Sequence, residues 1–88
     1  MNKNQEVNEL LTIFMEECSE GAIEASKHIR FGDEREGCKV IPLENEVGDI
    51  LCMIDLLCEY ELIDIEDALE RSKQKREKLK KWSNLKKL

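Results

Sequence analysis

The chain has 88 residues, of which 39% are charged and 5% aromatic, and its formal net charge is −6. That length allows one small domain, residues 1–88, whose own core buries little surface, so completion by oligomerisation is expected. The scarcity of Val, Thr and aromatics excludes a β-sandwich and favours helices.

Residues 4–31 read as one long helix. Val7, Leu11, Phe14, Cys18, Ala22, Ala25 and Ile29 recur at helical spacing and form an amphipathic stripe. Glu17, Glu20 and Glu24 fall on a second stripe, with Leu10 and Ile13 one turn above them. Two large aliphatics in line with the acids predict that this second face meets something, such as another subunit. Gly21, costly in a helix by about 1 kcal/mol relative to Ala, predicts a close helix approach beside the carboxylates.

Residues 32–42 read as a loop, with Gly32 as a C-cap and Pro42 as a helix start. Residues 43–60 read as a second helix whose apolar residues surround almost its whole circumference, the pattern of a central, buried helix. Glu46 and Asp49 interrupt it in its first turns, on the side of Met53. The macrodipole gives a purely structural reason for acids at that end. Asp64 is a fair N-cap for a third helix running to about Trp82, with Ile63 as a hydrophobic staple. Its apolar stripe is thin, so it is expected to pack on one side only, and residues 83–88 are expected to fray.

The charge is divided along the chain. Residues 1–70 hold 5 Lys/Arg and 19 Asp/Glu, whereas residues 71–88 hold 9 Lys/Arg and one acid. The bland reading of the tail is a solvated basic face pairing with an acidic body. An acidic protein repels a polyanion at long range, so no nucleic-acid partner is expected. The four cysteines show no CxxC or zinc spacing, and three lie in helical apolar runs as small hydrophobes. The polar first residues give no secretory signal, and the apolar run 50–58 is too short for a bilayer and holds Asp55. A cytoplasmic protein with no membrane partner is expected.

The acids carry the chemistry. Glu17 and Glu20 are three apart, as are Glu46 and Asp49, so each pair shares a helix face. Two such helices side by side would bring four carboxylates together. Buried acids need protons, partners or a metal, and an all-oxygen set suits Mg²⁺ or Mn²⁺. Glu-rich helices also occur as plain solvated faces, and both readings stay open on spacing alone. Lys27 and Arg30 lie below the glutamates, and Lys75 and Lys78 are three apart on the third helix. Cations beside a metal suit polyphosphate, although Lys27 pairing with Glu20 or Glu24 is the simpler reading. His28, the only histidine, reads as an ordinary helix residue, and no GxGxxG or Walker A sequence is present.

The order Glu16-Glu17-x-x-Glu20, 25 residues, Glu46-x-x-Asp49 resembles the MazG-like all-α nucleotide pyrophosphohydrolases. The segments Ser26–Gly32, Glu46–Leu57 and Lys78–Ser83 look like the short, single-domain members often carried by phages. The resemblance covers about residues 5–83. It implies a small all-α bundle of two long core helices plus a C-terminal helix, in dimers or dimers paired into tetramers. It implies that Glu17, Glu20, Glu46 and Asp49 bind catalytic Mg²⁺, replaceable by Mn²⁺. Glu16 would help a second metal or orient the attacking water, which on chemical grounds it would also deprotonate, and Lys27, Arg30, Lys75 and Lys78 would contact phosphates. The implied reaction takes a nucleoside triphosphate to the monophosphate and pyrophosphate. The short loop with Gly37-Cys38-Lys39 departs from the family region that frames the base. The rival readings are a related enzyme acting on another phosphorylated substrate, such as phosphoribosyl-ATP, and a non-enzymatic helical oligomerisation module.

Overall fold

The computed structural model describes residues 1–32 and 42–88; the loop expectations for residues 33–41, Cys38 included, lie outside the described residues. The fold is all-α: α1 spans Lys3–Phe31, α2 Pro42–Glu59 and α3 Ile65–Trp82. Among the described residues there is no strand. Among the described residues no helix is long and apolar enough to cross a membrane.

Local chemistry sets the helix ends. Asn2 opens α1 with a reciprocal capping box: its Oδ1 accepts from the Gln5 N–H at 2.9 Å, and its own N–H donates to Gln5 Oε1 at 2.8 Å. Gly32 closes α1 with φ 85°, a conformation that side chains resist, and its N–H donates to the His28 carbonyl. Pro42 begins α2, where its missing N–H costs nothing. Asp64 caps α3, its Oδ1 accepting from the N–H groups of Glu66 and Asp67.

The turn between α2 and α3 carries no glycine. Glu61 sits at φ 58°, with the N–H of Leu62 donating to the Leu57 carbonyl and that of Glu61 to Cys58. That pair of bonds is the Schellman pattern, here with a side-chain-bearing residue in the left-handed position.

α1 packs against α2, and the core is the cluster of Leu10, Met53 and Leu57, with Phe14, Leu56 and Tyr60 against it. This corrects the expected stripes. The face of α1 turned to α2 runs through Leu10, Phe14, Glu17, Gly21 and Glu24. It lies between the two expected stripes, taking Phe14 from the first and Leu10, Glu17 and Glu24 from the second, which thus meets a helix of its own chain in part. Much of the first stripe is left in solvent: Cys18, Ala22 and Ala25 are exposed and Ile29 is 84% exposed. Both faces are apolar enough to pack, and α2 takes the one where Gly21 lets it close. A Cβ built on Gly21 would stand 3.0 Å from Ile50 Cδ1.

α2 is not buried all round. Met53 and Leu57 face α1, whereas Val47, Leu51 and Cys52 are exposed on the outside. The cysteines at 18 and 52 are therefore surface groups, not core fillers. α3 buries no residue at all, and only Leu79 is half-buried, so the one-sided packing expected of it is absent. The radius of gyration of 16.0 Å reflects this open arrangement. A compact chain of this length would have about 12 Å.

Candidate metal centre

The packing of α1 on α2 gathers the acids. Glu17, Glu46 and Asp49 each offer one carboxylate oxygen, and these three oxygens lie within 4.8 Å of one another. Glu17 and Glu46 are half-buried and Asp49 is exposed. The Oε2 atoms of Glu17 and Glu46 are shut off from solvent, and no donor reaches either. Glycine at position 21 is part of the reason: it lies one turn beyond Glu17, and its bare Cα lets α2 come near enough for the two acid pairs to converge.

The electrostatics follow from that crowding. The Glu17 carboxyl is pushed above its ordinary value, first by burial, then by the charges of Glu20 and Asp49. Glu46 is pushed up in the same way, by burial, then by Glu20 and Asp49. When protonated, Glu17 can bridge to Asp49 and Glu46 to Glu20, which favours the neutral forms further. All four acids predicted as ligands thus act on one another. Glu20 is exposed and lies outside the tight triad, but it supplies the largest like charge felt by both half-buried glutamates. Glu16 is exposed and contributes only a weaker charge at Glu17.

The set could hold a divalent cation: metal–oxygen distances of about 2.0–2.6 Å allow ligand oxygens up to about 4–5 Å apart, and the three oxygens here lie within 4.8 Å of one another. Donor chemistry agrees, since hard cations such as Mg²⁺ and Mn²⁺ take carboxylates. Two covered oxygens with no donor are groups whose charge a cation would compensate.

The predicted phosphate ligands are not gathered in the same way. Lys27 Nζ pairs with Glu24 Oε1 at 3.1 Å, as the simpler reading of that lysine has it. The Arg30 guanidinium stands 5.2 Å over the Phe31 ring, with both residues exposed. Lys75 and Lys78 are exposed on α3 and do not line the hairpin. Glu24 carries more of the local structure than its place on the glutamate stripe suggested: half-buried on the packing face one turn below Glu20, it holds Lys27 a further turn on. Its signal was the i,i+3 spacing to Lys27 on the glutamate stripe.

No family model, curated protein or solved structure matches this chain.

Proposed function

We propose that this chain is a Mg²⁺-dependent nucleoside triphosphate pyrophosphohydrolase, with Mn²⁺ as a working substitute, converting substrate and water to the nucleoside monophosphate and pyrophosphate. The observation that carries the reading is the pair of covered, donorless oxygens, Glu17 Oε2 and Glu46 Oε2, brought from two helices to one spot beside Asp49. The MazG-like spacing of the acids supports the same reading and narrows the chemistry to phosphoric anhydrides.

In this mechanism Glu17, Glu20, Glu46 and Asp49 would hold the metal, which when bound would supply positive charge to offset that on the phosphate oxygens in an in-line displacement. Glu16, in the solvent beside Glu17, orients the attacking water and accepts its proton. The MazG-like resemblance would have Arg30, Lys75 and Lys78 contact the remaining phosphate oxygens, and Lys27 as well once it leaves Glu24. The exposed apolar residues of α1 and α2, Met15 and Leu51 among them, favour assembly into a homodimer or a pair of dimers. A cytoplasmic location is part of the same reading.

The test is product release from a panel of ribo- and deoxynucleoside triphosphates and phosphoribosyl-ATP with Mg²⁺, scoring pyrophosphate apart from orthophosphate. Pyrophosphate with matching monophosphate is expected, lost in Glu20→Gln and in Asp49→Asn while helicity is retained. Full activity in both variants would refute the proposal. No turnover of any substrate, together with no change of melting temperature in millimolar Mg²⁺ or Mn²⁺, would point to the non-enzymatic oligomerisation module.

A further inference from the structure

The hairpin leaves its third helix unused. α3 has 18 residues and buries none of them. A helix of that length that buries no side chain is marginal in water, because helical stability in proteins comes mostly from an amphipathic face that is covered. Its internal pairs, Lys80 with Glu77 at 2.8 Å and Arg71 with Gln74 at 3.5 Å, are worth only about 0.2–0.5 kcal/mol each. Yet α3 does carry such a face. Ile65, Leu69, Ser72, Arg76 and Leu79 recur at alternating spacings of four and three, with Lys73 and Lys80 along one side of the line and Glu66 and Glu77 beyond them. Ile65 and Leu69 on it are exposed.

A surface of opposite charge lies at the end of the hairpin where α1 begins and α2 ends. Two adjoining clefts there, of about 480 and 230 Å³, share Glu6 and Tyr60. Leu10 and Leu56 give the smaller one an apolar floor. Four carboxylates, Glu6, Glu9, Glu59 and Glu61, stand on their rims against one lysine, Lys3. Neither cleft is lined by α3 of its own chain. A cleft with an acidic rim thus meets a helix of net positive charge that carries Ile65, Leu69 and Leu79 on one side.

We propose that α3 of one copy docks into this acidic cleft of a second copy, reciprocally, so that two chains exchange their C-terminal helices. A two-fold axis satisfies both helices and both clefts at once, so the assembly closes at two chains. The exchange gives the division of charge along the sequence a use: the basic segment 71–88 of each chain neutralises the acidic body of the other. It goes beyond the hydrolase reading and does not depend on metal or turnover.

The test mixes isotopically heavy and light protein, treats it with a zero-length carbodiimide that joins amines to touching carboxylates, and maps the links by mass spectrometry. Heavy-to-light links from Lys73 or Lys80 to Glu6, Glu9, Glu59 or Glu61 are expected. Those links should be lost in Lys73→Glu/Arg76→Glu alone and in Glu9→Lys/Glu59→Lys alone. They should return in an equimolar heavy–light mixture of the two variants. All four positions are exposed, and circular dichroism checks that each variant keeps its helices. Links confined to one isotope, absence of these links in the unaltered protein, or indifference to both charge reversals would overturn the proposal.

Discussion

Gly21 offers the sharpest check on how packing makes the candidate metal centre. A Cβ at this position would lie 3.0 Å from Ile50 Cδ1. Carbon atoms are at ease at about 3.5–4.0 Å, so Gly21→Ala asks that contact to open by about 0.5 Å. The obstacle is the tip of a half-buried side chain, which can move. The alanine also brings about 1 kcal/mol of helix propensity, against an overpacking cost near the low end of about 1–3 kcal/mol. Gly21→Ala should therefore leave stability within about 0.5 kcal/mol of the parent. Gly21→Leu adds three further carbons in the same direction, and the tip of Ile50 cannot clear them all. Its overpacking outweighs the gain in propensity, for a net loss of about 1–2 kcal/mol. For a chain of this size that is a fall in melting temperature of roughly 4–15 °C. Because α1 and α2 must move apart, Glu17 loses its closeness to Glu46 and Asp49. Manganese binding, followed by titration calorimetry on folded protein, should weaken in Gly21→Leu and persist in Gly21→Ala. If Gly21→Leu melts like the parent and binds manganese equally well, the close approach at Gly21 does not build the site.

Other consequences are open to measurement. Glu17 and Glu46 have raised carboxyl values in the folded chain, so the folded state holds more protons than the unfolded one as pH climbs above about 4.5. Their contribution to stability is then fully present below that pH and is lost as pH rises through the raised folded values. Metal-free protein compared with Glu17→Gln/Glu46→Gln in urea melts should show the parent losing stability faster with pH; an identical slope would refute the crowding. Glu61→Gly relieves a left-handed conformation that costs an ordinary side chain roughly 1–2 kcal/mol, and part of that should appear as a higher melting temperature. An unchanged or lower melting temperature would count against the strained turn. Asp64→Ala removes the acceptor for two N–H groups and should cost α3 about 0.5–2 kcal/mol, read as lost helicity in far-ultraviolet circular dichroism. Unchanged helicity would mean that the cap does not hold the helix.

The sequence by itself determined the elements. The three helices follow from apolar periodicity, and Gly32, Pro42 and Asp64 fall at the predicted ends because capping depends on groups only a few residues apart. The pairing of Glu17 with Glu20 and of Glu46 with Asp49 was likewise legible, since a helix fixes which residues share a face. The Schellman turn at Glu61 was not, because its usual marker, glycine, is missing.

Only the tertiary structure decided which faces meet. α1 carries two apolar stripes, and periodicity cannot choose between them. The choice fell to the face where Gly21 admits Ile50, which sends Cys18 and Ile29 into solvent and turns Glu17 toward Glu46 and Asp49. The same packing leaves Val47 and Leu51 of an apparently all-buried helix outside, because a hairpin of two helices covers only one side of each. The four cations failed to gather for a related reason. Long flexible side chains pair with whatever lies one turn away, as Lys27 does with Glu24, unless packing or a ligand holds them elsewhere.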